Sequence, residues 1–147
     1  MYILDTNILN ILFYPDSARP VVESKLKAVD KHLVWLSVIT VYEIMYHGIV
    51  PELKYTLNSK REAKTFDTMI RLQEKLSEFQ ILPFTEQDYE NFKIIYNDVK
   101  KAPMDCRIAA CAKSRNWTVV THNSKDFSLI KQRCGVEYED WSITPLE

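Results

Sequence analysis

The sequence predicts an α/β domain built on a central parallel sheet of four or five strands, with helices on both faces. Two observations carry that expectation. Short apolar runs alternate along the chain with longer segments whose apolar residues recur at helical spacing, the order that successive strand–helix units produce. Strands separated by helices in this way form a parallel sheet covered on both sides. The composition suits a packed chain: 147 residues, 46% apolar and 27% charged, with no internal repeat and no Pro-rich or Ser/Gly-rich tract. Residues 1–147 therefore read as one domain with one core, hiding roughly 70% of the surface that the unfolded chain exposes.

Tyr2 to Asp5 is an apolar run closed by an acid, the first strand, followed by a turn at Asp5-Thr6-Asn7. Ile8, Leu9, Ile11 and Leu12 mark a short helix ended by Pro15. Pro20 suits the first position of a second helix, on which Val22, Leu26 and Val29 share a face. Leu33 to Leu36 reads as the second strand, and Ser37 as the N-cap of a helix from Val38 to about His47 with Gly48 at its end. From Lys60 to Phe79, the residues Phe66, Met69, Ile70, Gln73, Leu76 and Phe79 recur near helical spacing, and Ile81 to Phe84 is the third strand. Thr85 and Asp88 have the spacing of a capping box, opening a helix whose apolar face is Phe92, Ile95, Tyr96 and Val99. After Pro103, Met104 to Ser114 is an Ala-rich helix; Trp117 to Thr121 is the clearest strand, and Val136 to Tyr138 adds a short last one.

Only two glycines, Gly48 and Gly135, occur in the whole chain. The Gly-rich dinucleotide fingerprint, the P-loop and the serine-hydrolase elbow each need at least two within a few residues, so those chemistries drop out. Three cysteines, Cys106, Cys111 and Cys134, form no C-x-x-C pair, and no basic, apolar leader opens the chain; a reducing, cytoplasmic location is expected. Cys106 and Cys111 read as inert packing residues, as do Trp117 and Trp141, and packing is also the reading for Tyr42 and Tyr46. Leu33 to Val50 is apolar, but Ser37, Thr40, Glu43 and His47 interrupt it, so no membrane span is expected. His32, His47 and His122 lack metal-binding spacing, although His122 falls near the strand ends.

In such a sheet, chemistry collects beyond the carboxyl ends of the strands. Asp5 closes the first strand, and Thr121, Asn123 and Asp126 follow the fourth. Glu43 sits on an otherwise apolar helix, and Asp105 lies near the start of another, with the small residues Ala109 and Ala112 expected to leave open space beside it. Each acid also has a simpler reading. Asp5 can cap its helix, Asp105 can serve its helix dipole, and Asp126 can cap a final turn; Glu43 is harder to explain without a partner. Acids converging on one edge repel one another, and a divalent cation held by oxygen ligands alone, Mg²⁺ or Mn²⁺, would relieve that repulsion.

Five blocks carry a family likeness: Met-Tyr-Ile-Leu-Asp-Thr-Asn-Ile-Leu at 1 to 9, Leu-Ser-Val-Ile-Thr-Val-Tyr-Glu-Ile at 36 to 44, Asp-Cys-Arg-Ile-Ala-Ala-Cys-Ala at 105 to 112, Val-Val-Thr-His-Asn-Ser-Lys-Asp-Phe at 119 to 127 and Gly-Val-Glu-Tyr-Glu-Asp-Trp-Ser at 135 to 142. Together they resemble the PIN domain in the form of the VapC-type toxin ribonucleases, in that family's order along nearly the whole chain. The resemblance implies a Rossmann-like three-layer α/β/α sandwich and Mg²⁺- or Mn²⁺-dependent cleavage of RNA to a 5′-phosphate product. It also implies frequent dimerisation and a small antitoxin that inserts into the site. The family's acids fall on Asp5, Glu43, Asp105 and Asp126, and its supporting polar positions on Thr6, Asn7, Thr121 and Asn123. Two positions depart from it: His122 stands where Arg or Asn is common, and His47 separates Tyr46 from Gly48 where the family runs straight into glycine.

The expected function is therefore metal-dependent endoribonuclease, with Asp5 and Asp105 binding the ion most directly and Glu43 and Asp126 completing its shell. A net charge of −1 gives no global pull towards nucleic acid, but site acids offset bases such as Lys54, Lys60, Arg61, Lys64, Lys100, Lys101 and Arg107. A phosphatase would carry a second Asp where this chain has Asn7; a non-catalytic RNA- or partner-binding module on the same fold is the other rival. Residues 48 to 80 carry no motif and are expected to hold substrate and partner specificity. Surplus apolar surface on Leu33 to Tyr46 and Lys60 to Phe79, including Tyr42, Tyr46, Phe66 and Phe79, points to a homodimer.

Overall fold

A computed structural model describes residues 1–144. Five strands, β1 (Tyr2–Leu4), β2 (Val34–Ser37), β3 (Gln80–Leu82), β4 (Thr118–Val120) and β5 (Tyr138–Glu139), form one sheet in the order β3-β2-β1-β4-β5. All four pairings are parallel, with Leu4 beside Leu36 on one flank and Val120 on the other. The strand ends lie within two residues of the sequence expectation: Leu33 belongs to a single 3₁₀ turn, and the fifth strand starts at Tyr138 rather than Val136. Short strands leave the apolar runs longer than the paired backbone, because flanking apolar residues bury without pairing.

Side chains alternate between the two faces of the sheet. Ile3 and Val119 pack under α6 (Glu86–Val99), α7 (Pro103–Arg115) and α8 (Ser124–Cys134). Leu4, Val34, Leu36 and Val120 pack under α1 (Thr6–Phe13), α2 (Arg19–Ala28) and α5 (Glu62–Ser77). The result is the three-layer α/β/α arrangement expected. Cys106 and Cys111 are buried in the first of these layers, and no disulfide forms among the described residues.

Three helical expectations need correction. The helix after β2 does not stop at Gly48: α3 (Val38–Tyr42) runs into a π-helical stretch at Glu43–Ile49 and on into α4 (Val50–Thr56). Gly48 keeps a helical backbone there, and a π turn accommodates one residue more than an α turn does. On α5 the buried positions are Thr65, Leu72 and Leu76, while Phe66 and Ile70 face outward, because the apolar stripe that meets the sheet is narrower than the apolar content suggests. On α6, Asp88 takes the buried place expected of Tyr96. Its carboxylate completes the capping box with Thr85 and receives both arms of the Arg115 guanidinium, at 2.8 and 3.2 Å. Among the described residues no helix is long and apolar enough to cross a membrane.

Candidate active site

β1 lies between β2 and β4. The chain leaves β1 towards β2 on one side and reaches β4 on the other, so the crevice beyond the ends of β1 and β4 is the switch point of the sheet, where ligands of such folds bind. Asp5 stands there. Its backbone N–H bonds the Val120 carbonyl at 2.9 Å, which ties the end of β1 to the end of β4.

The Asp5 side chain is 2% exposed and caps α1, its Oδ1 accepting from the Thr6 N–H at 2.6 Å. The capping role and the site role thus coexist on one carboxylate. Oδ2 accepts from Asn7 Nδ2 at 2.8 Å and from Thr121 Oγ1 at 2.7 Å. These three bonds use three of the roughly four acceptor positions of a carboxylate. Thr6 donates its hydroxyl to Glu43 Oε2 across 37 positions of chain, so Glu43 has the partner its apolar helix failed to explain. Thr121 in turn accepts from the Asn123 N–H at 2.9 Å, and Asn7 Oδ1 accepts from the His122 N–H at 2.8 Å.

Asn123 bridges the other two acids. Its Nδ2 donates to Asp105 Oδ2 and to Asp126 Oδ2, both at 2.9 Å, and its Oδ1 caps α8. Asn123 therefore does the capping expected of Asp126, which sits in the first turn of that helix. Asp126 is paired on its other oxygen with Lys101, Nζ to Oδ1 2.5 Å. All four acids and all four supporting residues expected from the sequence stand along one edge, joined by these bonds. Ala109 and Ala112 behave otherwise: both are fully buried in the α6–α8 layer, so their small size serves close helix packing and opens no space beside Asp105.

The electrostatics follow from burial and crowding. Burial pushes the Asp5 carboxyl up from its usual 3.8 to about 6, against the lowering by Thr121, Thr6 and Asn7, with the Glu43 charge adding to the rise. Burial pushes Asp105 to about 7, reinforced by the charges of Asp5, Asp126 and Glu43. Asp126 moves the other way, held below the usual carboxylate range first by the Lys101 ammonium and then by Asn123. The edge thus contains two acids that resist ionisation and one whose charge is already met, a division that a nearby cation would redraw.

Hard carboxylate oxygens are the donor set that Mg²⁺ or Mn²⁺ takes. The donors fit such an ion in kind. They are not closed into a shell: among the described residues no three His, Cys, Asp or Glu side chains form a group that could hold a metal ion as they stand. Two polar features at this edge escaped the sequence. Lys101 appears there only as one of several bases, since nothing in its spacing points to Asp126. His122 Nδ1 meets Ser142 Oγ at 2.6 Å and Asp140 Oδ2 at 3.3 Å, a contact made by the turn after β5 that no motif marks.

The PIN domain family matches residues 2–132. No curated protein matches the chain. Among solved structures, the chain is similar to FitAcB from Neisseria gonorrhoeae at 26% identity and a TM-score of 0.75, over 96% of this chain and 98% of that one. FitAB bound to an IR36 DNA fragment aligns at 28% identity and a TM-score of 0.76, over 100% and 99%. A toxin–antitoxin complex from Klebsiella pneumoniae aligns at 25% and 0.68, over 100% and 99%. With the three-layer fold and the match over nearly the whole chain agreeing, the chain belongs to the PIN domain family.

Proposed function

We propose that this protein is a Mg²⁺- or Mn²⁺-dependent endoribonuclease, the toxin of a toxin–antitoxin pair, acting in the cytoplasm. The observation that carries the reading is the polar network at the switch point, in which Thr6, Asn7, Thr121 and Asn123 fix four carboxylates from four separate elements along one edge. Asp5 and Asp105 would hold the cation, with Glu43 and Asp126 completing its shell. When bound, the cation supplies a Lewis acid that makes water a better nucleophile and offsets charge on the phosphodiester under attack.

The chain's own residues set the rest. Asn7 and Thr121 hold the Asp5 oxygens in one orientation, and Asn123 does the same for Asp105 and Asp126, the support that metal-binding carboxylates depend on. Asp5 holds its proton up to about pH 6 and Asp105 up to about pH 7, so cation binding competes with protons there and grows stronger as pH rises through about 6 to 7. The antitoxin reading is supported by likeness to a toxin–antitoxin complex over nearly the whole length of both chains. A phosphatase is disfavoured because Asn7 occupies the place of its second Asp.

The test is brief induced expression followed by sequencing of RNA 5′ ends, with Asp5→Asn as control, and incubation of purified protein with RNA in Mg²⁺ or EDTA. New ends that need both Asp5 and the metal are expected. RNA bound but left uncut by the unmodified protein in Mg²⁺ would instead identify a non-catalytic binding module.

A further inference from the structure

Resting on the nuclease reading above, we infer that Lys101 is a substrate-contacting residue, whose ammonium binds a phosphate of the RNA beside the acids. Its place in the fold is unusual. Lys101 lies between two helices, flanked by Lys100 at φ 56° and Ala102 at φ 47°, both left-handed without being glycine. Lys100 is the left-handed cap that ends α6, its N–H bonding the Tyr96 carbonyl, and Ala102 is the residue that opens α7, so the tight turn between the two helices fixes the direction in which Lys101 leaves the backbone. The surrounding structure pins the segment: the Lys101 carbonyl accepts from the buried Cys106 thiol at 3.3 Å, and the Ala102 carbonyl from the Cys106 N–H at 3.0 Å.

That backbone delivers the ammonium to Asp126 Oδ1 at 2.5 Å, with the lysine side chain 42% exposed. Arg107, the base on the first turns of α7, is engaged differently. The Arg107 guanidinium covers the Phe92 ring at 4.1 Å and donates to the Pro103 carbonyl. Lys101 is thus a tethered cation at the rim of a carboxylate set suited to a divalent ion. Were Asp126 drawn into a cation's shell, the Lys101 ammonium would remain next to the acids without its partner. The anion that Lys101 would then meet is a phosphodiester, the group that the nuclease reading brings to this edge.

The experiment compares Lys101→Gln and Lys101→Arg, with Lys113→Gln as control. Lys113 donates to the Cys134 carbonyl and lies eight residues along α7 from Asp105, roughly 12 Å of helix. Binding of a fluorescein-labelled single-stranded RNA of mixed sequence, with phosphorothioate linkages that resist hydrolysis, is followed by anisotropy in Mg²⁺ over a salt series with all four acids intact. Lys101→Gln should make the slope of log affinity against log salt shallower by about 0.7, the value of one phosphate contact on a single strand. Lys101→Arg and Lys113→Gln should keep the parent slope. On ordinary RNA in Mg²⁺, Lys101→Gln should lower kcat/KM about tenfold or more, and Lys101→Arg should recover most of it.

An unchanged slope in Lys101→Gln overturns the inference. So does an equal loss in Lys113→Gln, or a tighter Mg²⁺-induced thermal shift in Lys101→Gln with no change in slope, which would make Lys101 a counter-ion alone. If the unmodified protein cuts RNA and the slope does not move, this inference fails by itself; if the unmodified protein cuts nothing in Mg²⁺, the nuclease reading fails first.

Discussion

Asp5 is asked to do two things at once. As the cap of α1 it accepts the Thr6 N–H, and as the centre of the sheet-edge network it accepts from Asn7 and Thr121. All three bonds favour the ionised form, yet burial outweighs them and the carboxyl rises from 3.8 to about 6. An acid raised on folding binds more protons in the folded than in the unfolded chain. Its stabilising contribution is present in full below pH 3.8 and is lost as pH rises through about 6. The loss is about 3 kcal/mol for one such shift. In EDTA, therefore, Asp5→Asn should gain on the unmodified protein by on the order of 3 kcal/mol between pH 4 and pH 8, read by urea titration at the two pH values. The amide forfeits part of the capping and network bonds at both pH values, so the difference carries the information. An equal stability gap at pH 4 and pH 8 would mean that Asp5 ionises as freely in the fold as outside it. Asp5 and Asp126 are legible in the sequence because they close or follow strands, Glu43 because it interrupts an apolar helix, and Asp105 because it opens an Ala-rich one; Lys101 is not, because the bend at Lys100 to Ala102 that aims it has no composition signal.

At the scale of elements, the stretch from Glu43 to Ile49 is where sequence reasoning placed an end and the fold has none. Gly48 looks like a helix terminus, and His47 looks like an insertion before it. The π turn reconciles the two. Ile44 and Ile49 are both buried, although five residues on an α-helix would turn them about 140° apart. With one extra residue taken up in the wider turn, both face the sheet, and Glu43 keeps its bond to Thr6. Deleting His47 should accordingly close the turn to ordinary α-helix and leave Ile44 and its partner in phase. Stability within about 1 kcal/mol of the parent is expected, since no core side chain changes place. Deleting Thr68 from the regular α5 helix is the control. It rotates Leu72 and Leu76 about 100° away from the sheet and should cost several kcal/mol. Thermal unfolding of the two deletions side by side distinguishes a π turn that absorbs a residue from a helix that merely tolerates damage anywhere.

Over the whole molecule, the sheet order and its switch point follow from the strand–helix alternation, which the sequence displays openly, whereas the outward faces of the helices do not. The apolar residues from α3 through the π-helical stretch, and those of α5, exceed what the core needs, and the fold sorts them. Phe79 is half-buried against the α1–α2 side of the sheet. Val38, Tyr42 and Tyr46 form an exposed row, 39%, 44% and 62% accessible, with the two tyrosine rings stacked at 5.5 Å and His47 Nε2 on the Tyr42 hydroxyl at 3.2 Å. Phe66 and Ile70 make a second exposed pair on α5. A row of large apolar groups on solvent is costly unless something covers it, and a second copy of the chain, related by a two-fold axis, is the commonest cover. The row begins beside the helix cap at Ser37 and passes Glu43, so a dimer closed on it would set two acid edges near one another and favour folded RNA over a random strand. Light scattering across a dilution series should give about twice 17.3 kDa for the unmodified chain, and Tyr42→Glu with Tyr46→Glu should halve that mass without loss of secondary structure, because both rings already lie outside the core. A mass that stays at 17.3 kDa throughout with cleavage intact would make the monomer the working unit and leave the tyrosine row to a different partner.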